Sequence, residues 1–164
     1  MRIRPATPED AEALAQAEHD TAAAQEGLLA ARPGEIPAEA FRAKIEALTG
    51  RGLYVVAEED GRPVGHLLLD PMGLASVRHV VQLTIVVHPG HTGRGLGRAL
   101  MEHAIEWARN TAGVEKIELR VRATNPRALA LYASLGFVEE GRMKDRIKLS
   151  NGYADDICMA LFVR

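Results

Sequence analysis

The amino-acid sequence predicts an α/β fold, a single domain built on a mixed β-sheet. Segments with helical and with strand periodicity alternate along the chain, which is the pattern of helices packed on a sheet. The length of 164 residues is that of one ordinary domain. Hydrophobic residues make up 47% of the chain and charged residues 26%, which is typical of a globular protein. We therefore expect one domain over residues 1–164, with about six or seven strands and about four helices.

The first half of the chain predicts two helices before the first long strands. Thr7-Pro8-Glu9-Asp10 is typical of a helix start, because a hydroxyl N-cap precedes proline and two acids in the first turn. Two apolar runs flank Glu59-Asp60-Gly61-Arg62, which predicts a β-hairpin. The expected elements are a short strand at Met1–Arg4, helices at Glu9–Ala24 and Pro37–Leu48, a loop at Gly27–Pro37, and strands at Leu53–Glu58 and Pro63–Leu69.

The second half predicts a strand, a glycine-rich turn and a helix, followed by a further strand and helix. In Val77–His88 the apolar residues alternate, as in a strand with one face in the core. The residues of that face are Val81, Leu83, Ile85 and Val87. The expected elements are the strand Val77–His88, the turn Pro89–Gly97, the helix Leu96–Asn110, the strand Lys116–Arg122, the helix Asn125–Leu135, a short strand Phe137–Glu139 and a final apolar strand Asp156–Val163.

Charge and cysteine content narrow the function classes. Lysine and arginine total 20 and aspartate and glutamate 22, a net charge of −2, so the basic surplus of a nucleic-acid binder is absent. Cys158 alone makes no internal disulfide or multi-cysteine zinc site, and we expect it to be a core thiol in the last strand. The N-terminus lacks the apolar segment of a signal peptide, and no run approaches the ~18 apolar residues of a membrane span. We expect a cytoplasmic enzyme or binding module, without a nucleic-acid or membrane partner.

The most informative segment is the glycine-rich turn Thr92-Gly93-Arg94-Gly95-Leu96-Gly97-Arg98. A strand ends and a helix begins there, so free N–H groups and the positive end of the helix dipole suit a phosphate group. Arg94 and Arg98 can add charge-assisted contacts. The turn fails the dinucleotide-binding pattern because Arg98 replaces the third glycine, and it fails the P-loop pattern because Leu96 follows Gly95. A tight turn that binds nothing remains an alternative.

Two segments together resemble the GNAT-type N-acetyltransferase family. Val87–Leu100 is similar to motif A of that family, Q/R-x-x-G-x-G/A, although Thr92 departs from the glutamine or arginine at its first position. Asn125–Phe137 is similar to the family's N-x-x-A-x-x-L-Y-x-x-x-G-F segment. The opening Ile3-Arg4-Pro5-Ala6 and the closing Asn151–Asp156 with Met159 also resemble family members.

The resemblance implies an acyltransferase that uses acetyl-coenzyme A (acetyl-CoA) as co-substrate. It implies that Tyr132 donates a proton to the leaving thiolate and that Asn125 contacts the cofactor arm. Because no nucleophilic residue stands out in the sequence, we expect direct attack of a primary amine in a ternary complex. From the residues alone, Tyr132 also fits the apolar stripe of its helix, and Asn125 also fits an N-cap. The implied cofactor-binding residues are Ile85, Val86, Val87, Thr92, Gly93, Arg94, Gly95, Leu96, Gly97, Arg98 and Asn125.

Other features of the reaction stay open at this stage. The acceptor is expected to be a small amine such as an amino acid; a protein N-terminus or lysine, and a non-catalytic CoA-binding module, are the alternatives. A homodimer is compatible with the family. No metal site is expected, since His79, His88 and His91 lack the spacing of a ligand set. No general base is assigned; the carboxylates in segments that border the acceptor side are Glu26, Glu35, Asp70, Asp145 and Asp155.

Overall fold

Seven strands and four helices make up the fold in the computed structural model, which describes residues 1–164. The strands are β1 (Arg2–Pro5), β2 (Leu53–Glu59), β3 (Arg62–Pro71), β4 (Val80–Val87), β5 (Lys116–Arg122), β6 (Val138–Leu149) and β7 (Gly152–Phe162). The helices are α1 (Ala11–Ala24), α2 (Ala38–Leu48), α3 (Leu96–Asn110) and α4 (Pro126–Ser134). None of the helices is both long and apolar enough to cross a membrane.

All seven strands belong to one sheet, in the spatial order β1-β2-β3-β4-β5-β7-β6. Neighbouring strands are antiparallel except for β4 and β5, which are parallel. A parallel pair needs a crossover connection, which α3 supplies here. The mixed α/β sheet expected from the sequence is therefore confirmed.

The parallel pair is joined only at its beginning. Its register covers Val80 to Gln82 of β4 against Lys116 to Glu118 of β5, and the strands separate beyond that point. The segment Leu83–Val87 therefore has a neighbour on the β3 side only. This separation opens the sheet at its centre and creates the space described below.

Each face of the sheet has its own apolar core. On one face, Leu100 and Ala104 of α3 are fully buried against Leu67, Val81 and Ile117 of the sheet. The alternation predicted for β4 is confirmed, because Val81, Leu83, Ile85 and Val87 all contact this core. On the other face, a smaller core joins α1 and α2 to β2 through Leu14, Phe41, Ile45, Tyr54 and Val56.

The last two strands are longer than the sequence predicts. The short strand Phe137–Glu139 is replaced by the twelve residues of β6, and β7 begins at Gly152 rather than at Asp156. The reason is that β6 is an edge strand whose side chains are mostly exposed, so it lacks the apolar alternation that marks a half-buried strand. Backbone pairing with β7 keeps it in the sheet.

Two boundaries move because short 3₁₀ turns precede regular elements. Pro8–Asp10 is a 3₁₀ turn, so α1 begins at Ala11. Thr7 is the N-cap of that turn, as the helix-start pattern predicts, and its N–H donates to the Asp10 carboxylate at 2.8 Å. Ala75–Val77 is a second 3₁₀ turn, and β4 consequently begins at Val80 rather than Val77.

Candidate active site

A cavity of about 550 Å³ occupies the gap between the separated strands. Its walls are Gln82–Val86 of β4 and Glu118–Arg122 of β5, with Asn125 and Tyr132 at the side of α4. Residues of the segment between α1 and α2 cover the opposite side. The cavity therefore connects the two faces of the sheet at the one place where strand pairing fails.

The β4 backbone offers unpaired hydrogen-bonding groups to this cavity. The N–H of His88 donates to the Val64 carbonyl at 3.0 Å, and residues of an antiparallel ladder alternate between the two sides of the strand. By this alternation Val86, opposite His66, directs its N–H and C=O toward β3. Ile85 and Val87 direct theirs toward the gap. Val86 contributes its side chain to the cavity wall.

The glycine-rich turn forms a cradle at the start of α3. Gly90, Gly93 and Gly95 have φ of +86°, +76° and +83°, a left-handed region that favours glycine. Gly95 is the N-cap of α3, and no side chain caps that end of the helix. A Cβ at Gly95 would meet no atom within 4 Å. The first N–H groups of α3 thus lack a side-chain cap and lie next to open space at Gly95, which suits an anion.

Side chains of the turn differ in what they can contribute. Arg94 is held by Glu59 at 2.9 and 3.0 Å, and Arg98 donates to the Ser134 hydroxyl at 2.6 Å. Thr92 is exposed, whereas Leu96 is buried in the core, so Leu96 offers only its backbone N–H.

Arg127 is a residue near the turn that sequence reasoning missed. Its guanidinium lies 2.9 Å from the position that a Cβ would take at Gly93, so it reaches over the turn from the first residues of α4. Gly93 and Arg127 are far apart in the sequence, and only the fold brings this cation to the turn.

Tyr132 belongs both to the core and to the cavity wall. It is 7% exposed and packs against Phe137 with ring centroids 6.1 Å apart, as the apolar stripe predicts. It also lines the cavity. Burial raises the pKa of its phenol to about 12, with the Arg122 charge acting in the opposite direction. The hydroxyl therefore keeps its proton at neutral pH.

Asn125 caps α4 at the mouth of the same cavity. Its side-chain oxygen accepts a hydrogen bond from the Ala128 N–H at 3.2 Å, so the N-cap prediction is confirmed. It also lines the cavity. The structure thus brings Asn125, Tyr132 and the unpaired edge of β4 together around one space.

Comparison with known proteins identifies the family. The model of the acetyltransferase (GNAT) family matches residues 16–137, about three quarters of the chain. The chain belongs to the GNAT acetyltransferase family. The resemblance inferred from the glycine-rich turn and the Asn125–Phe137 segment is confirmed.

Three relatives illustrate the range of this GNAT family. The [ribosomal protein bS18]-alanine N-acetyltransferase of Salmonella typhimurium is 46% identical over 77 residues, which cover 47% of this chain and 51% of that protein. The L-amino acid N-acetyltransferase AaaT of Escherichia coli is 38% identical over 107 residues, 65% of each chain. The structure of yncA from Salmonella typhimurium, solved with its cofactor acetyl-CoA, has a TM-score of 0.89 at 25% identity and covers 100% of this chain and 94% of its own. The chain thus spans half to two thirds of the curated relatives that it matches.

The side of the GNAT cavity away from α4 is polar. Arg122 and Asp156 pair across β5 and β7, with Nε and Oδ1 3.2 Å apart and both side chains largely buried. Glu18 of α1 lines the same space. Cys158 lines it too and is only partly buried, so the prediction of a core thiol was wrong. The reason is that β7 turns the face carrying Asp156 and Cys158 toward the gap.

The structure places the five carboxylates considered as bases outside the cavity. Asp70 pairs with Lys44 at 2.7 Å and Asp155 with Arg142 at 2.9 Å, and neither lines the space. The same holds for the other three carboxylates, Glu26, Glu35 and Asp145. Glu18 of α1, which sequence reasoning missed, is a carboxylate that does line the cavity.

The segment after α1 forms a cover over the polar side. Leu28–Ala31 and Ile36 contact the cavity. The cover is fixed to the turn between β6 and β7, where the Ser150 N–H donates to the Glu26 carboxylate and Arg32 donates to the Lys148 carbonyl at 3.4 Å. This segment therefore lies over part of the polar side of the cavity.

Proposed function

We propose that this GNAT protein moves the acetyl group of acetyl-CoA to the primary amine of a small molecule, such as an amino acid, by direct attack in a ternary complex. The observation that carries the proposal is the cavity between β4 and β5. It lies between Gln82–Val86 of β4, the strand that leads into the glycine-rich turn, and a polar side that holds Glu18, Arg122 and Asp156. Such a gap gives a thioester and an amine one shared space in which to meet.

The cradle suits the pyrophosphate of CoA. The uncapped N–H groups at Gly95–Arg98 supply donors, and the positive end of α3 favours negative charge. Thr92, Gly93 and Arg94 complete the turn. Arg127 adds a cation above Gly93, and the open space at Gly95 leaves room for the phosphate oxygens.

The unpaired edge of β4 suits the amide-bearing arm of the cofactor. Backbone groups of Ile85 and Val87 can bond to amides of an extended ligand, in the way a peptide adds to a sheet edge. Asn125 lies beside that path. An N–H of the same strand can also stabilise negative charge on the thioester oxygen, the contribution of an oxyanion hole.

Tyr132 is the proposed acid. Its phenol retains its proton because burial raises its pKa to about 12, and it lines the cavity on the α4 side. When the amine nitrogen bonds to the acetyl carbon, the carbon–sulfur bond breaks and the thiolate takes this proton. No residue is proposed to carry the acetyl group, since amine and thioester share one cavity.

The cover favours a small acceptor. The segment Leu28–Ala31, held by the contact of Glu26 with Ser150, narrows the polar side, whereas a protein chain would need an open groove. The paired Arg122 and Asp156 suit a ligand that carries both charges, as an amino acid does. A protein acceptor is the second candidate, because one relative is named for the alanine of a ribosomal protein.

A panel of amines incubated with acetyl-CoA and analysed by mass spectrometry tests the proposal. The panel holds free amino acids, a polyamine and short peptides with free N-termini. Acetylation of amino acids is expected. Preferred acetylation of the peptides would establish the second candidate instead.

Calorimetry with acetyl-CoA separates the remaining outcomes. Binding without turnover on any amine would indicate a non-catalytic CoA-binding module. Absence of binding heat with correctly folded protein, repeated at two temperatures, would overturn the proposal entirely.

A further inference from the structure

A buried chain of hydrogen bonds leads from the cavity into the small core. Glu18 Oε1 lies 3.0 Å from His66 Nε2, and His66 Nδ1 lies 2.8 Å from His88 Nε2. His88 Nδ1 lies 3.1 Å from the Pro63 carbonyl oxygen. His66 is 0% exposed and His88 is 5% exposed. Burying two imidazoles in contact costs free energy unless their hydrogen bonds are satisfied, and these contacts satisfy them.

The Pro63 end of this series of hydrogen bonds determines which ring nitrogens carry hydrogen. The Pro63 carbonyl only accepts, so His88 Nδ1 carries a hydrogen. Burial, with the neighbouring His66 charge, lowers the pKa of His88 to about 4, and His88 is therefore neutral with a lone pair on Nε2. That lone pair accepts from His66 Nδ1–H. The basic nitrogen of neutral His66 is consequently Nε2, the atom that faces Glu18.

We propose that Glu18 and His66 take up the proton of the incoming ammonium group, and that His88 is the positioning residue that keeps the His66 Nε2 lone pair directed at Glu18. This proposal rests on the amine acetylation proposed above and adds the base that it lacked. The 3.0 Å contact between Nε2 and Oε1 is a hydrogen bond when one proton lies between the two atoms. The two atoms are therefore close enough to share the proton that the pair takes up.

The pair lies at the right place for this task. Glu18 lines the cavity, and His66 is the register partner of Val86 in the β3–β4 ladder. Directly paired residues of neighbouring strands have Cβ atoms roughly 5 Å apart. The proton acceptor is therefore adjacent to the strand proposed to hold the thioester, on the covered side where the amine enters.

The proton balance closes without another reactant. The ammonium group gives one proton to Glu18, which shares it with His66 Nε2, and the neutral amine attacks the acetyl carbon. The carbon–nitrogen bond forms, the carbon–sulfur bond breaks, and the thiolate takes the proton of Tyr132. The second proton of the nitrogen passes to the Tyr132 phenolate and restores the phenol. After product release, the Glu18–His66 pair returns its proton to water through the partly exposed Glu18 carboxylate.

The surroundings of the pair add little competing charge. Tyr54 of β2 stacks on His66 with ring centroids 6.3 Å apart, and its pKa is raised by burial and by the negative charges of Glu18 and Asp10, so it stays neutral. From α2, the apolar ring of Phe41 meets the edge of His66. On the side of His88, electrostatic repulsion from His91 contributes to lowering the pKa of His88. Glu18 is the carboxylate in direct contact with the imidazole.

The first test compares Glu18→Gln with Glu12→Gln, an exposed glutamate on the same helix. At pH 7 we expect Glu18→Gln to lower kcat/KM for the amine about 100-fold, the range of general base catalysis, with unchanged acetyl-CoA affinity. The deficit should shrink at a pH above the pKa of the amine, where the acceptor is already neutral. A pH-independent deficit, or none relative to Glu12→Gln, would overturn the proposal while leaving acetylation by the wild type intact.

The second test does not depend on turnover. Nitrogen NMR of ¹⁵N-histidine-labelled wild-type protein should show neutral His66 and neutral His88 both protonated on Nδ1. Protonation of neutral His66 on Nε2 would overturn the proposal. If the wild type acetylated no amine, the function proposed above would fail, and the Nδ1 tautomers would still report whether the Glu18–His66–His88 chain exists.

Discussion

At the residue scale, Tyr132 shows how one side chain serves packing and chemistry together. The same residue whose ring packs against Phe137 also lines the cavity. Removal of the hydroxyl leaves the ring in place, so the acid contribution can be separated from the packing contribution. Burial also decides the ionisation state, because it raises the pKa to about 12.

We expect Tyr132→Phe to lower kcat by about 100-fold, the typical contribution of a positioned acid, with acetyl-CoA affinity unchanged. Release of free CoA thiol measures the rate, and calorimetry measures the affinity. Tyr153→Phe is the matched control, because Tyr153 is 58% exposed on β7. An equal rate for the two variants, with chemistry limiting, would exclude the acid role. Because the phenol pKa is about 12, the rate should show no loss from Tyr132 ionisation below roughly pH 11.

At the scale of elements, the two ends of α3 allow the cost of backbone strain at a glycine to be measured separately from the loss of space for a ligand. Gly95 and Gly113 have nearly equal φ, +83° and +86°, and a Cβ at either would meet no atom within 4 Å. They lie at opposite ends of α3, about 20 Å apart for a helix of this length. Asparagine tolerates the left-handed region better than other side chains do.

We therefore expect Gly95→Asn and Gly113→Asn to lose similar stability, on the order of 1 kcal/mol. Only Gly95→Asn should weaken acetyl-CoA binding, by tenfold or more, because its side chain enters the space above the first N–H groups of α3. Urea unfolding and calorimetry provide the two measurements. Equal acetyl-CoA affinity in both variants would contradict a phosphate site at the turn.

The cover between α1 and α2 leads to a second prediction at this scale. Glu26→Ala removes the carboxylate that accepts from the Ser150 N–H, an exposed contact worth about 1 kcal/mol. We expect KM for the small amine to rise several-fold, with kcat and acetyl-CoA affinity nearly unchanged. Glu46→Ala, an exposed glutamate of α2, is the control. A KM equal to that of the control would mean that the cover does not hold the acceptor.

Elements with one apolar face were predictable, and contacts between distant elements were not. The β4 alternation and the Asn125 cap depend on neighbours in the sequence, which the sequence displays. β6 was shortened in the prediction because an exposed edge strand has no apolar period. The contact of His66 with His88 exists only through the register of β3 and β4. Glu18 reaches the cavity only because α1 packs across the sheet.

At the scale of the whole molecule, the two faces of the sheet have different tasks. The α3 face holds the turn and the larger core, and the α1–α2 face holds the smaller core and the polar pocket. The histidine chain lies inside the smaller core, so the stability of the whole fold depends on its protonation. The histidines proposed to take part in catalysis therefore also influence the free energy of unfolding.

We expect acid to destabilise the fold through His88. Burial lowers the pKa of His88 in the folded protein to about 4 from 6.5. Between pH 4 and pH 6.5, His88 is therefore protonated in the unfolded chain and neutral in the folded protein. Stability is then fully present above pH 6.5 and falls as the pH decreases toward 4. The loss from pH 7 to pH 5 should be about 2 kcal/mol, measured by urea unfolding.

His88→Gln should flatten this dependence of stability on pH, although it lowers stability at pH 7. His103→Gln, at an exposed position of α3, should keep the wild-type slope. The same slope in all three proteins would show that His88 accepts a proton in the folded state as readily as in the unfolded chain.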